Sequence, residues 1–276
     1  MAPMATGDNP PPVSSSAEPD FHPDQRQFYQ EVLRLLMAHK VPFAVSGAFA
    51  LQQHTGIWRT TKDLDLFLTA ETMPGALDLL RQVGMECEIC DPVWLAKTRR
   101  GEHFVDLITG MSNAALKVTD SWIERAKPAV VVDVETRVLA AEELLASKLF
   151  VVRRERFDGA DIAHIVYGAH GKLDWNRIME LAGAHWEMLL WSLLLFRYAY
   201  PAQSHYVPLA VWADLLNRLA TELKNPSPSA RFRGSLVDDK MFAIDVSEWG
   251  LDDLLSEYRA RRTAEIQNPA GRSVAS

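Results

Sequence analysis

Residues 41–68 read VPFAVSGAFALQQHTGIWRTTKDLDLFL, and this stretch decides the fold. Near its end, Asp63 and Asp65 alternate with leucines. Alternate side chains of a strand face the same way, so we expect both carboxylates on one side and the leucines in the core. Such a pair repels itself unless a cation lies between its members, and oxygen-only ligands suit Mg²⁺, which commonly brings phosphates with it. The pattern therefore predicts a metal site on this strand.

A turn of small residues precedes the acidic pair. The apolar residues 43–45 predict a strand, which Ser46 and Gly47 connect to a short helix that Gly56 ends. The backbone N–H groups of a strand-to-helix turn can bind an anion. Together, the turn and the acidic pair predict one site for a nucleoside triphosphate and its metal.

This order of elements resembles the nucleotidyltransferase superfamily of the DNA polymerase β type, including minimal nucleotidyltransferases, antibiotic adenylyltransferases and toxins of the AbiE type. The resemblance covers roughly the first half of the chain and rests on Ser46-Gly47, Asp63-Leu64-Asp65 and the nearby Arg59 and Lys62. It implies an α/β fold with a mixed sheet flanked by helices, ATP or another NTP as substrate, and two Mg²⁺ ions. The family's usual Gly-Gly or Gly-Ser turn is here Ser46-Gly47-Ala48, so one glycine is missing in either register.

A third carboxylate is predicted on a neighbouring strand. We expect two strands between residues 85 and 109, joined by a polar turn at 97–102, and the second of them contains Asp106 between apolar residues. A structural edge residue is one interpretation of Asp106. The resemblance implies the other, in which Asp106 completes the metal site and accepts the proton of the attacking hydroxyl.

Three basic residues are candidates for binding the triphosphate. Arg59 and Lys62 precede the acidic strand, and Lys148 lies in a helix predicted at 140–156. The resemblance extends to the segment around Lys148, which is similar to the part that follows the catalytic domain in AbiE-type enzymes: Glu142, Glu143, Lys148, Arg153, Arg154, Asp158 and Asp161. A solvated loop for the first two, and helical salt bridges for the third, are the structural alternatives.

The hydrophobic pattern divides the chain into four parts. We predict a disordered tail at 1–22, a nucleotidyltransferase domain at 23–137, an all-helical domain at 138–265 and a disordered tail at 266–276. The helical part is rich in aromatic residues, which we interpret as core or as the wall of an acceptor cleft: Trp186, Trp191, Phe196, Tyr198, Tyr200 and Trp212.

Composition limits the alternatives. The formal net charge of −7 argues against a protein that coats nucleic acid nonspecifically. Neither a signal peptide nor a membrane span is indicated, and we expect a cytoplasmic protein. The two cysteines, Cys87 and Cys90, exclude a disulfide framework, and a zinc site would need two further ligands that have no matching pair. His54 is expected to have a structural role.

These observations predict an enzyme that transfers a nucleoside monophosphate from an NTP to a hydroxyl acceptor, either a small molecule or an RNA. Two alternatives stay open at this stage. One is an RNA-modifying toxin with an antitoxin partner. The other is a catalytically silent nucleotidyltransferase fold that serves as a binding module, for which the altered turn at Gly47 and Ala48 is the only support.

Overall fold

The structure is a computed structural model that describes residues 21–59, 61–154 and 156–268. Its central sheet is formed by β1 (Ala44–Val45), β2 (Asp63–Phe67), β3 (Glu86–Asp91), β4 (Leu95–Arg100), β5 (His103–Ile108), β6 (Lys127–Val131) and β7 (Val134–Val138). The spatial order is β3-β4-β5-β2-β1-β7-β6. β2 is parallel to β5 and β1 is parallel to β7, whereas the other neighbours are antiparallel. The sheet is therefore mixed, as predicted.

Helices flank the sheet and form most of the second half of the described chain. They are α1 (Pro23–Ala38), α2 (Gly47–Thr55), α3 (Met73–Gln82), α4 (Asp120–Glu124), α5 (Ala141–Lys148), α6 (Gly159–Gly168), α7 (Trp175–Ala182), α8 (Trp186–Ala199), α9 (Leu209–Lys224), α10 (Gly234–Val237), α11 (Ala243–Ser247) and α12 (Leu254–Gln267). Two short 3₁₀ helices lie at Gly183–His185 and Pro201–Tyr206. α2 packs against β2 and β7 and also against α5 and α6, so it connects the sheet to the helical half.

The strand that carries the acidic pair has the alternation expected from its sequence. Leu64 and Leu66 are fully buried, while Asp63 and Asp65 lie on the other face and are partly exposed. The parallel pairing of β2 with β5 places Asp65 directly opposite Asp106. Residues in register on neighbouring strands project from the same face, so all three carboxylates lie on one side of the sheet.

The prediction of a polar turn at 97–102 is wrong for residues 97–100, which belong to β4. Side chains alternate along this strand, so that Lys97 and Arg99 point to the side opposite the buried Ala96 and Thr98. This arrangement is that of a strand with one buried face. The turn to β5 is shorter, and Gly101 permits it with a φ of +60°.

Two further elements differ from the prediction. The helix predicted at 140–156 ends at Lys148, and the chain continues as a two-stranded ribbon of β8 (Val152–Arg153) and β9 (Arg156–Phe157). The apolar run 129–134 predicts a single strand, whereas β6 and β7 form a hairpin. β7 alternates buried and exposed residues and pairs with β1, so the sheet extends to Val138.

Buried and helical residues lie close to both ends of the described chain. Phe21 is buried and stacks on Phe49 with a ring-centroid distance of 5.5 Å, and α12 continues to Gln267. Residues 1–20 and 269–276, the greater part of both predicted tails, lie outside the described residues. Over the described ranges, every helix is too short or too polar to cross a bilayer.

The core interpretation of the aromatic residues in the helical half is confirmed for only some of them. Trp186 and Phe196 are buried in the core. Trp191 is half exposed and pairs with the exposed Phe157, at a ring-centroid distance of 6.5 Å, while Tyr198 is also exposed. The core interpretation therefore holds for part of this set only.

Candidate active site

Three carboxylates from two adjacent strands converge at one point. Asp63, Asp65 and Asp106 each offer an oxygen, and these oxygens all lie within 4.8 Å of one another. The Thr61 hydroxyl donates a hydrogen bond of 2.7 Å to Asp63 Oδ1, which fixes that side chain. The set consists only of carboxylate oxygens, which are the ligands that Mg²⁺ prefers. We call these three residues the carboxylate triad.

The glycine turn lies directly against the triad. Gly47 has a φ of +57°, and a Cβ added to it would lie 1.8 Å from Asp65 Oδ2. The N–H of the preceding Ser46 donates to the Asp65 carbonyl at 2.8 Å, which couples the turn to β2. α2 begins here, and its first N–H groups are available to an anion beside the carboxylates. Ala48 lies within the helix, where alanine is favourable, so this turn requires glycine only at Gly47.

The electrostatics of the triad favour a bound cation. Burial, reinforced by the charges of Asp63 and Asp106, raises the pKa of Asp65 to about 7. Burial also raises the pKa of Asp106, although the hydrogen bond from Lys97 opposes this. Burial raises the pKa of Tyr29 to about 12, and the three carboxylates add to the effect. A divalent ion would relieve this repulsion, so the residues present fit Mg²⁺.

A second charged cluster extends from α5 and α6 to the triad. Lys148 is buried, and its Nζ donates to Asp158 Oδ2 at 2.8 Å and to Asp161 Oδ2 at 2.9 Å. Arg59 donates to Asp161 Oδ1 at 2.7 Å, and Arg156 contacts both oxygens of Asp158, at 3.0 and 3.1 Å. The positive charges of Lys148 and Arg156 favour the ionised carboxylate of Asp65 and so partly oppose the rise of its pKa. The structure therefore brings Arg59 and Lys148 together on Asp161, and the charge of Lys148 reaches Asp65.

Lys62 lies at the surface of the protein. It is exposed, and its contacts with Gln25 and Tyr29 are made by its backbone carbonyl, which accepts hydrogen bonds of 3.2 and 3.1 Å.

The predicted structural role of His54 is confirmed, because its Nε2 lies 2.7 Å from the carbonyl of Leu139, at the end of β7.

Sequence reasoning missed two residues of this region. The helix predicted at 140–156 includes Arg156. In the structure, Arg156 instead forms an ion pair with Asp158, two residues further along the chain. Lys97 was assigned to a turn, yet its Nζ lies 2.6 Å from Asp106 Oδ1. Residues 95–100 show no apolar–polar alternation in their sequence, so no local signal would have found Lys97.

A mixed sheet with paired aspartates on one strand, a third aspartate on the parallel neighbour and a glycine turn beside them defines the nucleotidyltransferase class. A family model matches residues 25–187, more than half of the chain. The chain belongs to this family, which is described as nucleotidyl transferase of unknown function (DUF2204).

Several solved structures resemble the chain, and no curated protein sequence matches it. The antibiotic-resistance factor ANT(2'')-Ia is 16% identical, with 66% of this chain and 96% of that chain covered and a TM-score of 0.43. The lincosamide antibiotic adenylyltransferase LnuA is 17% identical, with 51% and 95% covered and a TM-score of 0.36. A nucleotidyltransferase-like protein of Paracoccidioides brasiliensis is 15% identical, with 65% and 91% covered and a TM-score of 0.40.

Proposed function

We propose that the chain transfers a nucleoside monophosphate from an NTP, such as ATP, to a hydroxyl group of an acceptor. One observation carries this proposal: the three carboxylates of the triad converge within 4.8 Å, and the glycine turn at the start of a helix lies against one of them. Carboxylates bind divalent cations, whereas the N-terminus of a helix binds phosphate. A metal-bound triphosphate is the substrate that needs both.

The triphosphate would lie between the start of α2 and the basic cluster. Gly47 allows close approach to the backbone, and the buried Ser46 precedes the first N–H groups of the helix. The Lys148 ammonium has three donor hydrogens, of which two are directed at aspartates, so one remains for a phosphate oxygen. Arg59, which is part-exposed, extends the positive surface, and the exposed Lys62 would meet the distal phosphates.

The reaction is an in-line displacement at the α-phosphorus. The acceptor oxygen forms a new bond to this phosphorus, the bond to the bridging oxygen of the β-phosphate breaks, and pyrophosphate leaves with that electron pair. Asp106 accepts the hydroxyl proton, directly or through a water molecule. Two Mg²⁺ ions bound by the triad would acidify the hydroxyl and neutralise the leaving pyrophosphate. Asp63 and Asp65 would be shared ligands of both ions, whereas Asp106 would bind only the ion on the hydroxyl side.

The test is label transfer. The full chain is incubated with Mg²⁺ and α-labelled ATP, CTP, GTP or UTP, in separate reactions with pools of hydroxyl-bearing small molecules and with RNA. We expect one nucleotide to label one acceptor class, and Asp65→Asn to abolish labelling. Transfer that survives Asp65→Asn would refute the assigned chemistry.

The same experiment distinguishes the two alternatives. Labelling of RNA would favour the toxin hypothesis, for which an antitoxin partner stays a prediction. Binding of NTP with Mg²⁺ in calorimetry, without transfer to any acceptor, would favour the silent binding module.

A further inference from the structure

Lys97 occupies a defined position beside the triad. β4 pairs with β5 so that Lys97 lies directly opposite Asp106, which in turn lies opposite Asp65 on β2. The three side chains therefore form a row across three strands on one face of the sheet. Asp106 is the middle member of this row, with a carboxylate on one side and an ammonium group on the other.

Two contacts hold the ammonium group of Lys97. Its Nζ donates to Asp106 Oδ1 at 2.6 Å, and the same atom lies 4.2 Å from the centre of the Phe104 ring. Phe104 precedes Asp106 by two residues on β5 and so faces the same side of the sheet. A charge-assisted hydrogen bond and a cation–π contact together restrict a side chain that would otherwise be mobile.

This contact changes what Asp106 offers to a metal ion. One of its two oxygens is engaged by Lys97, and the positive charge of Lys97 reduces the negative potential of the carboxylate. Asp63 has a different partner, because its oxygen accepts from the neutral Thr61 hydroxyl. The effect of Lys97 is therefore concentrated on the Asp106 side of the triad.

We propose that Lys97 and a divalent cation bind Asp106 antagonistically, so that Lys97 keeps metal affinity on this side of the triad low. The inference rests on the proposed function, and it makes Lys97 a positioning residue that acts through Asp106. The negative charge of bound nucleotide phosphates would offset the effect of Lys97 on this side of the triad.

Metal affinity tests this directly, with no need for a known acceptor. Mn²⁺ is titrated into the nucleotide-free chain, and free Mn²⁺ is followed by electron paramagnetic resonance. We expect Lys97→Met to bind Mn²⁺ at least about tenfold more tightly than the wild type, because a unit charge close to a divalent ion is removed. Lys97→Arg retains the charge and should remain near the wild-type affinity.

A matched control comes from the same strand. Arg99 lies two residues from Lys97, on the same face, and pairs with Glu86 at 2.9 Å. Arg99→Met removes one positive charge away from Asp106 and should leave the Mn²⁺ affinity unchanged. In an Asp106→Asn background, Lys97→Met should lose most of its effect, because the shared ligand is gone.

The outcomes separate this inference from the proposed function. Unchanged or weaker Mn²⁺ binding in Lys97→Met, with a thermal unfolding transition like that of the wild type, would overturn the inference, as would an equal gain in Arg99→Met. If Lys97→Met does not fold, Lys97→Gln is measured under the same criterion. Mn²⁺ binding that is absent from both the wild type and Lys97→Met, or that survives Asp63→Asn unchanged, would overturn the proposed function and the inference together.

Discussion

Replacing Gly47 by alanine tests whether the turn and the triad form one unit. The new methyl group would lie 1.8 Å from Asp65 Oδ2 and 2.8 Å from its Cγ, whereas real Cβ contacts below 3.0 Å essentially do not occur. The carboxylate must therefore move by at least about 1 Å, because a tightly packed site cannot absorb such an overlap. A shift of this size separates Asp65 from its two partners in the triad.

The expected energy has two parts. Alanine at a φ of +57° costs about 1–2 kcal/mol of backbone strain. Forcing the Asp65 carboxylate aside adds about 1–3 kcal/mol, as overpacking commonly does. Gly47→Ala should therefore lower the free energy of unfolding by about 3 kcal/mol and weaken Mn²⁺ binding by more than about tenfold.

Gly101→Ala is the matched control. Gly101 has a nearly identical φ of +60°, and an added Cβ would meet nothing within 4 Å. This variant should show the backbone strain alone, about 1–2 kcal/mol in urea unfolding, and should bind Mn²⁺ like the wild type. Equal Mn²⁺ affinities in Gly47→Ala and the wild type would refute the argument that the turn sets the position of Asp65.

Three further predictions address other parts of the site. Lys148→Met should lower the free energy of unfolding by about 3 kcal/mol, because two buried carboxylates lose a shared cation; a loss below about 1 kcal/mol in urea would contradict this. His54→Ala should cost about 1 kcal/mol through its lost backbone hydrogen bond, while NTP binding in calorimetry stays unchanged. The raised pKa of Asp65, about 7 against an ordinary 3.8, means that the folded state holds its proton more tightly than the unfolded state. Stability of the metal-free chain in EDTA should therefore fall by a few kcal/mol relative to Asp65→Asn as the pH rises from about 4 to 8; parallel pH profiles for the two proteins would exclude this.

The sequence predicted the parts of the fold that local patterns determine. The alternation of aspartates and leucines was sufficient to orient β2, and one strand pairing then brings Asp106 to Asp65. The hairpin of β6 and β7 was not recognised, although β7 has a strict alternation, because its polar members Glu135 and Arg137 resemble a loop out of context. Its pairing with β1 is a long-range contact that no local pattern contains.

Lys97 and Arg156 were not predicted as part of the site, for related reasons. Each is a cation within a run of charged residues, where the usual interpretation is a solvated surface. What distinguishes them is the partner: Asp106 lies nine residues further along the chain but directly opposite Lys97 in the sheet, and Asp158 is fixed from its other side by the buried Lys148.

The pairing of charges therefore gives a physical criterion that distinguishes the carboxylate triad from the charged cluster around Lys148. The triad is a set of like charges held together by strand register, so its arrangement is unfavourable without a cation and is best explained by ligand binding. In the second cluster each charge has an opposite partner, because Lys148, Arg59 and Arg156 pair with Asp158 and Asp161. Its burial makes it important for stability whether or not a nucleotide binds. A loss of activity in a Lys148 variant would consequently say little about the triphosphate, whereas loss of metal binding in a triad variant that still folds would report directly on the chemistry.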